Sequence, residues 1–252
     1  MKALPLILLC ATAPILHAQP EKPETAEVAK DKKDEKDQKA PIAEVLGKPI
    51  KADQSEELTS LIFTALVDQF AKEKKIDATA EEVKTFLAKS DEMGKETREG
   101  FVKDKKRLEE ELKSTTLTED DRSRKEQELA MTEDLLKSMA EEEGKEKPKE
   151  RDPEETKMAR EFVRTWKINR ELFKQYGGRV IFQQAGPEPL DAYRDFLREH
   201  ETKGSFRITD EEAKKEFWKY FTDESMHTFL DAKDGAQAMA TPWWLMEQKP
   251  EE

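Results

Sequence analysis

Between residues 56 and 74 apolar side chains fall at Leu58, Leu61, Ile62, Ala65, Leu66 and Phe70, three and four apart, with Phe63 and Val67 broadening the stripe. That spacing predicts a core helix with a wide buried face, and Ser55 stands where an N-cap belongs. Further on, Thr79-Ala80-Glu81-Glu82 reads as a capping box, the Thr79 hydroxyl taking an amide while Glu82 reaches back. Val83, Phe86 and Leu87 follow it and are expected to face the first helix.

From Lys95 to Gly144 the pattern thins to Phe101, Leu108 and Leu112, then Leu129, Leu136 and Met139. Spacings near seven predict a narrow seam between two helices folded back at Ser114–Leu117, with Thr118 and Asp121 capping the return. The expectation is an antiparallel hairpin projecting from the body. A charged helix without a task is the plainer alternative. Asp152-Pro153-Glu154-Glu155 then opens a helix with a cap, a first-turn proline and acids in the first turn. Its apolar face is read as Met158, Phe162, Val163, Trp166, Phe173 and Tyr176, and Gly177-Gly178 end it.

The glycines at 177, 178 and 186 flank Val180-Ile181-Phe182. A phosphate cradle needs glycines after a strand and before a helix, so that free amides point at the anion. Here the order is reversed, and the run reads as a short strand. Such a strand needs a partner, and the expected one is Ala43-Glu44-Val45-Leu46, which opens the ordered region ahead of a turn at Gly47-Lys48. A helix with Leu190, Tyr193, Phe196 and Leu197 follows, then an extended Phe206-Arg207-Ile208. Thr209-Asp210-Glu211-Glu212 reads as a second capping box, opening a helix that carries Ala213, Phe217, Trp218, Tyr220 and Phe221. Met226, Phe229 and Leu230 continue it or start a short successor. Met239–Met246 is apolar without a helical pattern. Trp243-Trp244 must dock on the body or be offered to a partner, and docking is expected because exposed aromatic pairs invite aggregation.

Composition changes the picture in two ways. Charged residues make up 40% of the 252 and hydrophobic ones 35%, so part of the chain must be solvated rather than packed. Residues 19–40 hold almost nothing to bury and are expected to be a disordered tether. The net charge of −12, with no basic stripe, speaks against nucleic acid as a partner. At the N-terminus one lysine, a short apolar run and Ala18 predict a secretion signal cut after Ala18, with no membrane insertion elsewhere. Cys10, the single cysteine, would leave with that signal. Leu8 and Leu9 before it do not suit a lipid-attachment site.

Chemistry-bearing residues are sparse. His200 and His227 each stand alone, no serine sits in a nucleophile elbow, and abundant paired acids are accounted for by capping. No catalytic residue, no metal site and no cofactor is expected.

The run Val45-Leu46-Gly47-Lys48-Pro49-Ile50, followed by Leu61-Ile62 through Ala71-Lys72 to Ile76 and then Thr79-Ala80-Glu81-Glu82-Val83, resembles the N-terminal module of SurA-type periplasmic chaperones. That family opens with a strand of the form V-N-G-x-P-I; here Leu46 replaces the usual Asn, and Lys75 replaces the usual Gly before Ile76. The resemblance covers about a fifth of the chain and implies a C-terminal segment that returns to complete the module. Nothing resembles the parvulin domain of the isomerising members, so what is implied is the client-binding half alone. The fold expected is mainly α: a helical SurA-N-like body with a small two-stranded sheet and a projecting helical hairpin. Its expected parts are a signal over 1–18, the tether over 19–40, a SurA-N-like module over 41–94, a charged arm and linker over 95–150, and a returning helical part over 151–252. The function expected is an exported, periplasmic or secreted, non-catalytic protein binding unfolded or partner polypeptides. Phe162, Trp166, Phe173, Tyr176, Trp218, Trp243 and Trp244 are the candidate lining of a cleft between body and arm. The alternatives are a scaffold that docks a partner through the arm and an atypical peptidyl-prolyl isomerase.

Overall fold

The computed structural model describes residues 40–143, 151–183 and 185–246. The secretion signal, Cys10, nearly all of the tether, the linker residues 144–150 and Gln184 of the expected strand lie outside the described residues. The unit Lys39–Glu252 is mainly α, with seven α-helices and five strands of three residues each among its described residues.

Strand β1 (Ala43–Val45) turns back through Leu46 and Gly47 into β2 (Lys48–Ile50), in the register Val45↔Lys48. Residues Ala52–Glu57 wind as a 3-10 turn and run directly into α1 (Leu58–Lys74). Ser55 therefore does not cap α1. It sits inside the 3-10 turn and accepts the Leu58 amide with its carbonyl, so the tighter i→i+3 bonds do the work expected of a side-chain cap. Helix α1 buries Leu58, Ile62, Leu66 and Phe70, one per turn, and ends at Lys75 in the left-handed conformation.

The Thr79 capping box forms as read: the Glu82 amide donates to the Thr79 hydroxyl and the Thr79 amide to the Glu82 carboxylate. It opens α2 (Ala80–Glu111), which runs unbroken through residues 94 and 95. Its outer half pairs with α3 (Glu119–Glu143) to form the projecting hairpin. The seam is thin. Leu108 is its one fully buried large side chain among the described residues, and cross-links at Lys105–Glu133 (2.7 Å) and Lys125–Glu111 flank it. Arg122 donates to the Leu112 and Ser114 carbonyls, satisfying the end of α2, while Thr118 accepts the Asp121 amide at the start of α3.

Helix α4 (Pro153–Tyr176) is capped by Asp152 and stopped by Gly177. Periodicity predicts a single apolar stripe for it, but it is covered by α2 on one side and by later elements on another. Ile168 and Leu172 are consequently buried, while Met158 is exposed. Strands β3 (Ile181–Gln183) and β4 (Gly186–Glu188) follow, then α5 (Leu190–Thr202), β5 (Phe206–Ile208), α6 (Glu211–Thr222), a 3-10 turn at Glu224–Met226, α7 (Ala232–Ala240) and a 3-10 turn at Trp243–Leu245.

The strand that returns to β1 is β5, in the register Ala43↔Ile208 and Val45↔Phe206, giving a three-stranded antiparallel sheet β2-β1-β5. The expected pairing of Val180–Phe182 with Val45 does not occur. Ile181–Gln183 pairs with its immediate neighbour β4 and bridges to Phe229. Two facts decide between the candidates. A partner two residues away costs little loop entropy. In addition, Phe206-Arg207-Ile208 alternates buried, exposed, buried in step with Ala43-Glu44-Val45, whereas only Ile181 of its strand is buried.

The cap of α6 also shifts by one residue. Asp210 accepts the Ala213 amide, while Thr209 is drawn into the end of the β1–β5 ladder, its amide donating to the Ile42 carbonyl and its hydroxyl to the Pro41 and Ile42 carbonyls.

The buried apolar residues form two cores. The larger joins α1, α5, α6 and the three-stranded sheet around Phe196, Leu197, Phe206 and Phe217. The smaller gathers Val83, Phe86 and Leu87 of α2 with Val163 and Trp166 of α4 and with Trp244. Val83, Phe86 and Leu87 thus face α4 and the tryptophan segment rather than α1, whose buried face is already filled by the larger core.

Candidate functional site

The smaller core lies at the root of the hairpin arm and is built from rings. Phe86 stacks on Phe162 with centroids 5.7 Å apart, and Trp244 meets Phe86 edge-on at 5.0 Å and Trp166 at 5.8 Å. Trp243 also meets Phe86 edge-on, at 6.2 Å. Such edge-to-face contacts let the positive ring edge rest on the negative face of its neighbour. Trp166 donates its indole Nε1 to the Ala238 carbonyl at 3.1 Å, which holds α7 beside α4. Arg151 pairs with both Asp91 and Glu155, tying the start of α4 to α2 beside this core.

Beyond Trp244 the surface opens into a groove of about 440 Å³. Met93 on α2 and Trp243, Leu245 and Met246 opposite form its apolar floor, and Lys89, Glu92 and Glu96 stand along its rim. Leu245 is 44% exposed, so the floor is open to solvent. The rim carries both signs of charge, and with Lys89 paired to Glu92 its net charge is the single negative of Glu96.

The seven candidate aromatics do not form one lining. Phe162, Trp166, Trp243 and Trp244 come together at the arm root; of these Trp166 and Trp244 are buried and the other two half-buried. Tyr176 and Trp218 pack on the larger core instead. The Tyr176 hydroxyl donates to Glu199, and Trp218 meets Phe217 and Phe221. Phe173 is half-buried on α4 and belongs to neither group of buried core residues. The tryptophan pair is docked, as expected. The pattern of the sequence points Phe86 at the wrong neighbour, and it gives no signal for Met93, which stands alone among charges. Leu245 and Met246 stand out there only as part of an apolar run.

Two polar clusters elsewhere serve the fold. Tyr193 donates to Asn169 Oδ1 at 2.6 Å, Asn169 Nδ2 donates to the Pro187 carbonyl, and Tyr220 donates to Glu188, so β4 is held between α4, α5 and α6. Burial pushes the Glu188 carboxyl up from its ordinary value. Asp191 accepts from the amide and guanidinium of Arg179 and from Arg194. Burial would raise its carboxyl, but these bonds hold it below the usual range. His200 Nδ1 lies 3.0 Å from the Ser205 hydroxyl, and His227 Nε2 lies 2.6 Å from the Tyr220 carbonyl. Among the described residues no group of three His, Cys, Asp or Glu side chains is placed to hold a metal, and no helix is long and apolar enough to cross a membrane. Compared with known proteins, the chain matches no family model, no curated protein and no solved structure.

Proposed function

We propose that this is an exported, non-catalytic, SurA-like chaperone that binds unfolded or partner polypeptide at the root of its helical arm. The observation that carries the reading is the groove between α2 and the tryptophan segment. Met93, Leu245, Met246 and the half-buried Trp243 give it an apolar floor, and a mixed-charge rim stands beside that floor. A surface of this kind takes apolar side chains of many sequences while the rim keeps it soluble.

A second observation supports the family part of the reading. Among the described residues, the non-glycine residues with positive φ are Leu46 (50°) and Lys75 (56°). These are the two positions where the sequence departs from the SurA-type pattern, which carries Asn and Gly there, residues that adopt this conformation with less strain.

The test is suppression of aggregation. A denatured β-barrel outer-membrane protein diluted into a several-fold excess of the full chain should stay in solution. Met93→Glu and Leu245→Glu should each weaken that protection about tenfold, the scale of losing one well-placed apolar contact. No protection at such an excess would sink the reading. The scaffold alternative draws on the exposed Val102 and Met131 of the arm. Excising residues 101–136 with a short bridging turn separates the two: the groove should retain protection, whereas a scaffold would lose its partner.

A further inference from the structure

We infer that the segment Thr241–Met246 is an exchangeable occupant of the slot between α2 and α4. The slot is then a binding site for a polypeptide segment carrying adjacent aromatic side chains, and the chain's own Trp243-Trp244 holds it shut. This rests on the reading of the groove as a polypeptide site and says what the site selects.

The segment is held by its rings. Trp244 is 6% exposed, inserted between Phe86 and Trp166. Trp243 lies against the β3–β4 hairpin at Gly186. A Cβ on Gly186 would come within 2.6 Å of the Trp243 indole nitrogen, so the hairpin is shaped to admit a large ring at that point.

The backbone of residues 242–246 contributes nothing comparable. Among the described residues its hydrogen bonds are internal: Leu245 N to Pro242 O at 2.9 Å and Met246 N to Trp243 O at 3.2 Å. Neighbouring α7, by contrast, is tied to α4 through the Trp166 indole. The slot therefore reads two rings and takes nothing from the backbone that carries them. A strand added to a sheet edge is recognised by its main chain, and a slot of this kind is not. Any segment presenting two rings in similar geometry meets the same contacts.

The open groove continues from the slot along α2 past Met93. An incoming chain has an apolar landing beside Leu245 before displacement begins. Exchange then proceeds by replacement of rings rather than by exposure of an empty aromatic cleft.

The experiment uses the full chain and a fluorophore-labelled synthetic peptide spanning residues 239–248. The double variant W243A/W244A should bind this peptide saturably and at least tenfold more tightly than wild type. A peptide with serine at both tryptophan positions should not bind, and adding Phe86→Ala to the protein should abolish binding. Equal or absent binding in wild type and W243A/W244A, with far-UV circular dichroism unchanged, overturns the proposal. Should the double variant fail to fold, Trp244→Phe decides, because it loosens the segment while keeping the slot filled. Peptide binding two- to fivefold tighter than wild type supports exchange, and unchanged binding overturns it. The aggregation assay separates this claim from the broader one. Protection by wild type together with absent peptide binding leaves the chaperone reading standing and removes the exchangeable segment. Peptide binding to the variant without protection by either protein does the reverse.

Discussion

Thr209 gives both its amide and its hydroxyl to the Ile42 carbonyl oxygen, at 2.8 and 3.0 Å, across 167 residues of chain. The contact continues the β1–β5 ladder by one step, so two strands of a very small sheet close a body whose first five helices lie between them in sequence. The sheet contributes few hydrogen bonds. Its stabilising part is the face of Val45, Phe206 and Ile208 laid against Phe217 and the helices of the larger core.

That division predicts an order of effects. Phe206→Ala removes a ring that is 2% exposed and should destabilise by about 3–5 kcal/mol. Thr209→Val removes the exposed hydroxyl that the Pro41 and Ile42 carbonyls share and leaves the amide bond, a loss of about 0.5–1.5 kcal/mol. Urea unfolding followed by far-UV circular dichroism measures both, and a Thr209 effect equal to the Phe206 effect would mean the closure is polar rather than packed.

The arm should open independently of the body. Its seam buries Leu108 and little else of size, while the flanking Lys105–Glu133 and Lys125–Glu111 pairs remain partly open to solvent and contribute at most about 1 kcal/mol each. Leu108→Ala is expected to abolish amide protection over residues 101–136 while leaving that of Ile62 and Leu66 in α1 unchanged. Parallel loss at both places in hydrogen exchange would show a single cooperative unit.

How far the sequence reached varied with the physics that decides each element. Helix α1, the Thr79 and Asp152 caps and the hairpin were legible because repeat spacing and local hydrogen bonding determine them. The partner of β1 was not, since three-residue strands look alike in sequence and the choice rests on which faces already have cover. The start of α6 was missed by one residue, because both Thr209 and Asp210 can cap and only the fold shows that Thr209 extends the β1–β5 ladder. Helix α7 was missed altogether. Its apolar residues are mostly alanines, and they are interrupted by Gly235, where a Cβ would press on Val180 at 3.3 Å. At the site, the docked tryptophans were anticipated, but the slot that receives them depends on α2 leaning toward α4, which periodicity does not encode.

Glu188 predicts a pH effect. Burial raises its carboxyl above the ordinary 4.5, so in the window just above that value the folded state holds a proton the unfolded chain releases. Stability must then fall as pH rises through the window and stay reduced above the folded pKa. Glu188→Gln keeps an acceptor for the Tyr220 hydroxyl without a charge to desolvate. It should be more stable than wild type at pH 7 by on the order of 1 kcal/mol, with the gap closing at pH 4. Denaturant melts at the two pH values test this, and a gap that widened on acidification would reverse the assignment.

The left-handed residues give the last prediction. Leu46 and Gly47 have φ of 50° and 76°, the signs that a two-residue hairpin turn between twisted strands requires at both central positions. For a leucine this conformation costs about 1–2 kcal/mol relative to the right-handed region, whereas asparagine is relieved by its own short polar side chain. Leu46 is also 39% exposed, so little burial is lost when it is replaced. Leu46→Asn should therefore stabilise the protein by about 0.5–1 kcal/mol. Lys75, at φ 56° and ψ 41°, ends α1 and donates its amide to Ala71 and Lys72. Glycine there relieves the same strain but gains backbone freedom in the unfolded chain, so Lys75→Gly should stabilise by no more than about 1 kcal/mol. Leu46→Ala is the control, since it trims the side chain without easing the backbone and should not stabilise. If Leu46→Asn melts below wild type while Leu46→Ala is neutral, the turn is not left-handed in solution. The backbone argument for a SurA-like opening strand then loses its footing.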